Sequence, residues 1–191
     1  MWWAQLLNSI VAMLGNGAGG GGGAYESIAS NTLGADAASV TFSGIPSTYA
    51  SLQLRMNVKR SGTGGASVVY VRLNNDSSAI YTMHRIKGDG TTASAYGNTG
   101  NTESFGDGIA ASTTNANIAG VSIIDIHDYA STTKNKTIRN FNGLDLNGSG
   151  QVTLTSNLWE STAAISSLVI SIPSYNILAG STFSLYGIKG A

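Results

Sequence analysis

Apolar and polar residues alternate along much of the chain after Tyr25. The clearest case is the run Leu52–Lys59 (LQLRMNVK), in which every second side chain is apolar. Because successive side chains of a strand point to opposite faces, this alternation predicts strands with one buried face and one solvated face. The same pattern recurs at Val69–Leu73, Ile124–Ile126, Leu168–Ile172 and Phe183–Leu185, and weaker strand candidates are Ser39–Ser43, Ile80–Lys87, Lys136–Asn142 and Gln151–Asn157.

Clusters of glycine, asparagine and aspartate separate these runs and predict tight turns. They lie at 62–65 (GTGG), 74–76 (NND), 88–90 (GDG) and 147–150 (NGSG), and the last predicts a β-hairpin. Short strands at this spacing, with no helical pattern between them, predict an all-β antiparallel β-sandwich, jelly-roll-like, over residues 25–191. The polar stretch Thr91–Ala119 is predicted to be a long excursion at one end of this domain.

The first fourteen residues (MWWAQLLNSIVAML) carry the one helical pattern of the chain and no charged side chain. A helix this short is marginal alone in water, so it needs a surface on which to dock. We therefore predict an anchoring helix over residues 1–14. Its apolar residues, spaced as one face of a helix, are Trp2, Trp3, Leu6, Leu7, Ile10, Val11 and Leu14.

Several interpretations of this leader compete. A secretory signal peptide needs a positive start and a small-residue cleavage site, and a membrane span needs about 20 apolar residues. The leader has no Lys or Arg and its apolar run is shorter than about 20 residues, so neither interpretation is favoured. We favour a plug that inserts into a partner protein or packs against other copies; an interfacial membrane helix and a poorly ordered tail are the alternatives. Residues 15–24 (GNGAGGGGGA) predict a flexible linker. A phosphate-binding loop is not predicted there, because a helical pattern precedes it and no lysine is near.

Charge and composition narrow the function classes. Ten Lys and Arg balance ten Asp and Glu, so the chain lacks the basic excess typical of nucleic-acid-binding proteins. Charged residues form 10% of the chain, against about 25% in average domains. Such a surface suits a chain packed among copies in an assembly, or an extracellular β-domain with an uncharged polar face. The absence of cysteine excludes disulfides and thiolate metal sites.

Catalytic constellations are missing from the sequence. No G-x-S-x-G elbow is present, the only imidazoles are His84 and His127, and the carboxylates are few and scattered. His84 is interpreted as a surface or hydrogen-bonded core histidine. We therefore predict a non-enzymatic protein that needs no cofactor.

The sharpest polar cluster is Asp125-Ile126-His127-Asp128. On a strand, Asp125 and His127 share one face, which suits a metal ion if a third ligand comes from a neighbour. We favour the simpler interpretation of an outward polar face. Asp89-Gly90 and Asp107-Gly108 resemble fragments of calcium loops, but the ladder of ligands is missing.

Two further groups of side chains suggest surfaces. The cations Arg55, Lys59, Arg60 and Arg72 are expected on the wet side of two adjacent strands, as a solvated or salt-bridged face rather than a nucleic-acid site. Tyr96 and Trp159 are candidate contacts for a host surface glycan. The opposing expectation is that aromatic residues of a β-domain anchor its core or an interface.

The carboxyl-terminal part of the chain resembles a known class of proteins. It reads LWESTAAI at 158–165, LVISI at 168–172 and AGSTFSLYGIK at 179–189, which is similar to the ending of many virion proteins of tailed bacteriophages. The run VTFSGIP at 40–46, followed by Tyr49, is similar to their usual opening. The Leu52–Lys59 strand continues this opening, and the two matching regions, residues 40–59 and 158–189, cover about a quarter of the chain.

The resemblance implies a jelly-roll-like domain exposed on the virion, commonly as a homo-trimer, with no catalytic position in the motif. The residues themselves agree with a structural role, since Trp159 and Phe183 are expected to be core anchors. A single domain with an apolar leader favours a capsid decoration (cement) protein, held on the capsid surface by the major capsid protein or another virion protein. The alternatives are a short tail-fibre, adaptor or receptor-binding protein that contacts glycan through residues 91–119, and a bacterial carbohydrate-binding module. Neither nucleic acid nor a membrane is predicted as a partner.

Overall fold

A computed structural model describes residues 23–111 and 116–190 of the protein. Within these ranges the chain forms twelve strands, and no helix there is long and apolar enough to cross a membrane. The predicted anchoring helix and most of the predicted linker lie outside the described residues. The strands are β1 (Tyr25–Thr32), β2 (Ser39–Ser43), β3 (Ser51–Arg60), β4 (Ser67–Leu73), β5 (Tyr81–Gly88), β6 (Ala93–Asn101), β7 (Ser104–Ala111), β8 (Gly120–His127), β9 (Lys136–Asp145), β10 (Gly150–Trp159), β11 (Ser167–Ser171) and β12 (Thr182–Ile188).

These strands form two antiparallel sheets. The larger sheet has eight strands in the order β1-β12-β3-β8-β9-β10-β5-β6, and the smaller has four in the order β2-β11-β4-β7. The sheets join at one corner, where the end of β3 runs parallel to β7 over Lys59 and Arg60. The prediction of an all-β fold with antiparallel sheets is confirmed.

One hydrophobic core takes side chains from both sheets. Along β3 the side chains of Leu52, Leu54 and Val58 are fully buried, while the alternate positions face outward. Val71 and Ile170 fill the same core from the smaller sheet. Each such side chain contributes about 1.5–3 kcal/mol of burial free energy, so the period-two pattern read from the sequence decides which face of these strands turns inward.

The predicted hairpin at 147–150 is also confirmed. It joins β9 to β10, and the Leu146 N–H donates to the Ser149 carbonyl at 2.7 Å. Asn147 and Gly148 both adopt positive φ, 57° and 109°. This is the two-residue turn whose twist matches the flanking strands, and Asn-Gly is the dipeptide that best tolerates it.

The stretch Thr91–Ala119 was predicted to be a long excursion without strands, and this prediction is wrong. It forms β6, which pairs with β5 at the edge of the larger sheet, and β7, which pairs with β4 in the smaller sheet. The apolar period is missing because β6 is exposed on both faces and β7 is rich in glycine. β6 is therefore a strand through its pairing with β5, whereas β7 is a buried strand whose glycines and polar residues hide the apolar period.

The motif stretches 40–49 and 158–189 meet in the fold. β2 pairs with β11, and the ring of Tyr49 lies against Gly187 of β12 so closely that a Cβ atom there would be 2.3 Å from it. The Tyr129 hydroxyl donates to the Pro46 carbonyl and accepts from the Tyr49 N–H at 3.3 Å. These motif positions hold the two-sheet body together.

Trp159 and Phe183 are buried, at 2% and 0% exposure, so both predicted core positions are confirmed. The Trp159 ring stacks on Tyr81 with centroids 6.3 Å apart, and its Nε1 donates to Asp76 Oδ2 at 2.9 Å. The alternative role of Trp159 as a glycan contact is therefore wrong, because no face of its ring is open to a sugar.

Candidate interaction surface

The hairpin of β9 and β10 reverses the usual arrangement of polar and apolar side chains. Phe141 is 55% exposed and Leu154 is 40% exposed on the outer side of the sheet. The inner side of the same two strands is buried, and between its apolar residues Ile138, Leu144 and Trp159 it carries amides and hydroxyls. These polar residues, which we name the inner polar layer, are Asn140, Asn142, Thr153, Thr155 and Asn157.

Strand β7 explains the polar interior, because its backbone lies directly over β9 and β10. The Phe105 N–H donates to Asn157 Oδ1 at 3.1 Å, and Asn157 Nδ2 donates to the Phe105 carbonyl at 3.2 Å. Asn140 Nδ2 donates to the same carbonyl. At Gly106 a Cβ atom would lie 3.2 Å from the amides of Asn140 and Asn142. Buried amides satisfy the peptide groups of β7, which would otherwise be costly to bury.

The inner polar layer yields a matched pair of stability predictions. Thr155 Oγ1 is buried and has no hydrogen-bond partner among the described residues, so Thr155→Val is expected to leave stability unchanged or raise it by up to about 1 kcal/mol. Asn157→Ala removes the acceptor of the Phe105 N–H and is expected to cost about 2 kcal/mol. Urea unfolding followed by far-UV circular dichroism checks both. A Thr155→Val variant that loses as much stability as Asn157→Ala contradicts this account.

The outer side of the same region forms a continuous apolar surface. Cross-strand register aligns Ile123, Phe141, Leu154 and Ile86 in one row, which ends at Ala95. A second row places Val121 beside Gly143 and Val152. We name as the outer apolar face the six large side chains Ile86, Val121, Ile123, Phe141, Val152 and Leu154, which are 40–59% exposed.

The outer apolar face is broad and shallow. It crosses five strands, from β8 to β6, so it is about 19 Å wide at about 4.8 Å per strand spacing. A groove of about 720 Å³ between Phe141, Val152, Leu154 and Ile86 follows one part of it. Six half-exposed side chains of this size present on the order of 500 Å² of apolar surface, which is the upper range for a monomer. A patch of this size is a candidate interaction surface.

Charged residues frame this face without entering it. At one rim Arg139 Nη2 contacts Asp125 Oδ2 at 2.8 Å, and Gln53 Nε2 donates to Asp125 Oδ1 at 2.8 Å. Burial alone would raise the pKa of Asp125, but the hydrogen bonds from Gln53 and Arg139 hold it below its usual value. At the other rim Asp145 is exposed at the end of β9. The outward residues of β9 are therefore a cation, paired with Asp125, at one rim and an anion at the other.

No protein-family model, curated protein or solved structure matches this chain. The surface must accordingly be interpreted from its own residues.

The Asp125–His127 pair points outward, as predicted, but Asp125 is engaged by Gln53 and Arg139. Among residues 23–111 and 116–190, no three histidine or carboxylate side chains are placed to hold one metal ion. His84 lies exposed on the outer side of β5, in line with the surface alternative. This part of the sheet is an outward polar face.

The predicted set of cations on two adjacent strands is wrong, because β3 lies in the larger sheet and β4 in the smaller. Arg60 is 4% exposed, and its guanidinium donates to the carbonyls of Thr63 and Gly65 at 3.0 Å each. Arg72 forms an ion pair with Glu103. Arg60 and Arg72 therefore make separate structural contacts and do not form one basic patch. Only the pairing of strands distant in sequence reveals this separation.

Tyr96, the other candidate glycan contact, is 51% exposed on edge strand β6. The guanidinium of Arg85 lies 5.7 Å from the centroid of its ring. The ring remains accessible on its other side, so glycan contact at Tyr96 stays a prediction.

Proposed function

We propose that this chain is a non-enzymatic structural protein of a bacteriophage virion, built on a jelly-roll-like β-sandwich. Within that class we favour a capsid decoration protein. The observation that carries the proposal is the resemblance of its carboxyl-terminal segment, residues 158–189, to the ending of tailed-phage virion proteins. The partner is the major capsid protein or another virion protein, and the resemblance adds a homo-trimer as the expected assembly.

The packing of the motif residues supports this resemblance. Trp159, Ile165, Phe183 and Leu185 are buried in one core, and Gly187 provides the space for Tyr49. The motif therefore describes how such a body is packed, and particular surfaces must carry its function. The outer apolar face and the sparse charge suit a protein that works within an assembly.

The environments of the carboxylates support a non-enzymatic role. Three acidic side chains are each occupied by an arginine: Glu103 by Arg72, Asp107 by Arg85 and Asp125 by Arg139. In each pair the guanidinium occupies carboxylate oxygens that a catalytic acid or base would have to present to a substrate. These groups hold strands together instead.

A decoration protein acts by adding interface to a shell under internal pressure. A standard contact buries about 1,600 Å², and repetition of such contacts over a lattice adds stability without chemistry. In our proposal the apolar residues of 1–14 attach the body to its partner, and residues 15–24 set its reach. At about 3.3–3.6 Å per residue, ten linker residues span at most about 36 Å.

The attachment is tested by deletion of Met1–Gly23. We expect the truncated chain to keep its two sheets, because their core draws on residues after Ala24, and to be lost from purified particles. The measurement is the amount of the chain per particle after infection with complementation. A control replaces the glycine-rich linker by a Gly-Ser sequence of equal length, which should retain full loading. Normal loading of the truncated chain contradicts attachment through the leader.

A tail-associated receptor-binding protein is the second candidate, favoured by the exposure of Tyr96 on an edge strand. A count of copies per virion on a calibrated gel separates the two candidates. Hundreds of copies indicate the capsid, whereas about a dozen indicate the tail.

A further inference from the structure

We propose that two copies of this chain associate through the outer apolar face, each face packed on the same face of the other copy. The proposal rests on the geometry of the sheet and does not depend on the virion role. It assigns a partner to the six side chains of that face.

Among residues 23–111 and 116–190, the outer apolar face is the one large apolar surface that no other described residue covers. Nine large apolar or aromatic residues are exposed in this part of the chain, and six of them form the face. The other three are tyrosines, each with an arginine guanidinium near its ring. The pairs are Tyr25 with Arg55 at 5.2 Å, Tyr96 with Arg85 at 5.7 Å and Tyr175 with Arg60 at 4.0 Å.

This distribution identifies the partner surface. An apolar face of on the order of 500 Å², extended by its polar rim, approaches the roughly 800 Å² that each partner contributes to a standard interface. Within residues 23–111 and 116–190 there is no second apolar patch on which it can pack head-to-tail. The matching surface on a second copy is therefore the same face, which gives an isologous contact with two-fold symmetry.

The outward position of the apolar side chains of β9 and β10 supports burial of this face by a stable partner. Phe141 lies on the outer side of the sheet, whereas its neighbours Asn140 and Asn142 lie inside and contribute to the polar layer under β7. Phe141 and Leu154 thus gain little burial within one chain, although Ile138 and Trp159 of the same strands lie in the core. Facing sheets pack about 10 Å apart with interdigitating side chains, so a second copy buries Phe141, Leu154 and their neighbours.

The charges on β9 orient the pair. Its outward positions run Arg139, Phe141, Gly143, Asp145, so a cation and an anion lie on opposite sides of the apolar rows. A two-fold axis in the interface, running across the strands between Phe141 and Gly143, places Arg139 of each copy opposite Asp145 of the other. The Arg139 side chain is 59% exposed, and two of its five N–H groups suffice for Asp125. An axis along the strands would pair like charges instead.

The experiment compares full-length variants by sedimentation equilibrium over a range of concentrations. Phe141→Asp places a charge at the centre of the contact and is expected to halve the mass of the wild-type assembly. The same halving is expected if other surfaces join the dimers into a larger assembly, because the outer apolar face would still join its two halves. The matched control is Thr137→Asp, on the outer side of the same strand but beyond the apolar rows; it should leave the mass unchanged. Asp145→Lys should weaken association about tenfold in Kd, since it removes the two symmetric ion pairs.

A second measurement locates the contact without a disruptive charge. Because the chain has no cysteine, Ala95→Cys at the end of the apolar row and Thr41→Cys on the outer side of the smaller sheet provide single thiols. Alkylation of the thiol at position 95 should slow several-fold as concentration rises through the association range. Alkylation at position 41 should keep a constant rate.

Several results would overturn the proposal. They are a wild-type chain that stays monomeric, a Phe141→Asp mass equal to wild type or to one third of it, or equal alkylation behaviour at both positions. Loss of association on deletion of Met1–Gly23 would make the leader the occupant of the face and would also overturn it. Particle loading tests the virion role separately, so the two proposals fail on different observations.

Discussion

Replacing Trp159 by alanine is expected to cost the two-sheet body about 3–5 kcal/mol of unfolding free energy. The ring is 2% exposed and stacks on Tyr81, so its removal opens a large cavity. It also takes one hydrogen bond from Asp76, whose pKa is held below its usual value mainly by the Ser78 N–H and also by Trp159. Because domains are stable by only about 5–15 kcal/mol, the variant should lie near the unfolding threshold at 37 °C.

Urea unfolding monitored by far-UV circular dichroism measures this loss. Trp159→Phe serves as one control, since it keeps most of the apolar volume and is expected to lose about half as much stability. Tyr96→Ala serves as the exposed aromatic control and should cost less than about 1 kcal/mol. A Trp159→Ala variant as stable as Tyr96→Ala would show that the ring is not a core residue.

Gly187→Ala is expected to cost about 3 kcal/mol, the upper range for overpacking by one methyl group. The added Cβ atom would lie 2.3 Å from Cγ and Cδ2 of Tyr49, and the strand that carries it lies between β1 and β3. Neither the central strand nor the base of the ring can give way cheaply. The matched control is Gly34→Ala, where no atom lies within 4 Å of the added methyl; it should be neutral or slightly stabilising.

A double-mutant cycle with Tyr49→Ala identifies the contact. If the ring is the obstacle, Tyr49→Ala combined with Gly187→Ala should cost about 1–2 kcal/mol less than the sum of the two single changes. Additive costs would show that Gly187 is required for another reason. The cycle also tests the contact between the stretches 40–49 and 179–189, because the two residues come from these distant parts of the chain.

The strand framework was accessible from the sequence because its signals are local. Alternation along Leu52–Lys59 predicts a strand whose inward side chains are apolar, and β3 has that burial pattern. The Asn147-Gly148 turn needs two residues that tolerate positive φ, which the dipeptide itself supplies. The same reasoning missed β6 and β7, since an exposed edge strand and a glycine-rich strand have no apolar period.

The outer apolar face was not accessible in this way. The apolar residues Ile138, Phe141 and Leu144 lie three positions apart, so alternation assigns no single inward side to β9. A signal was nevertheless present, since Phe141 and Leu154 lie at equivalent distances from the Asn-Gly turn and therefore face each other across the hairpin. The sequence does not reveal that this shared side points outward.

For this protein, the sequence alone determined the all-β class, the turn positions and most strands, because alternation and turn chemistry act over a few neighbouring residues. Tertiary structure decided which side of β9 and β10 is inside. β7, from residues 104–111, supplies peptide groups that only amides such as Asn140 and Asn157 can satisfy there. Once those amides are held inward, the strict period of two forces Phe141 and Leu154 outward. The apolar surface is thus a consequence of hydrogen bonding between strands distant in sequence.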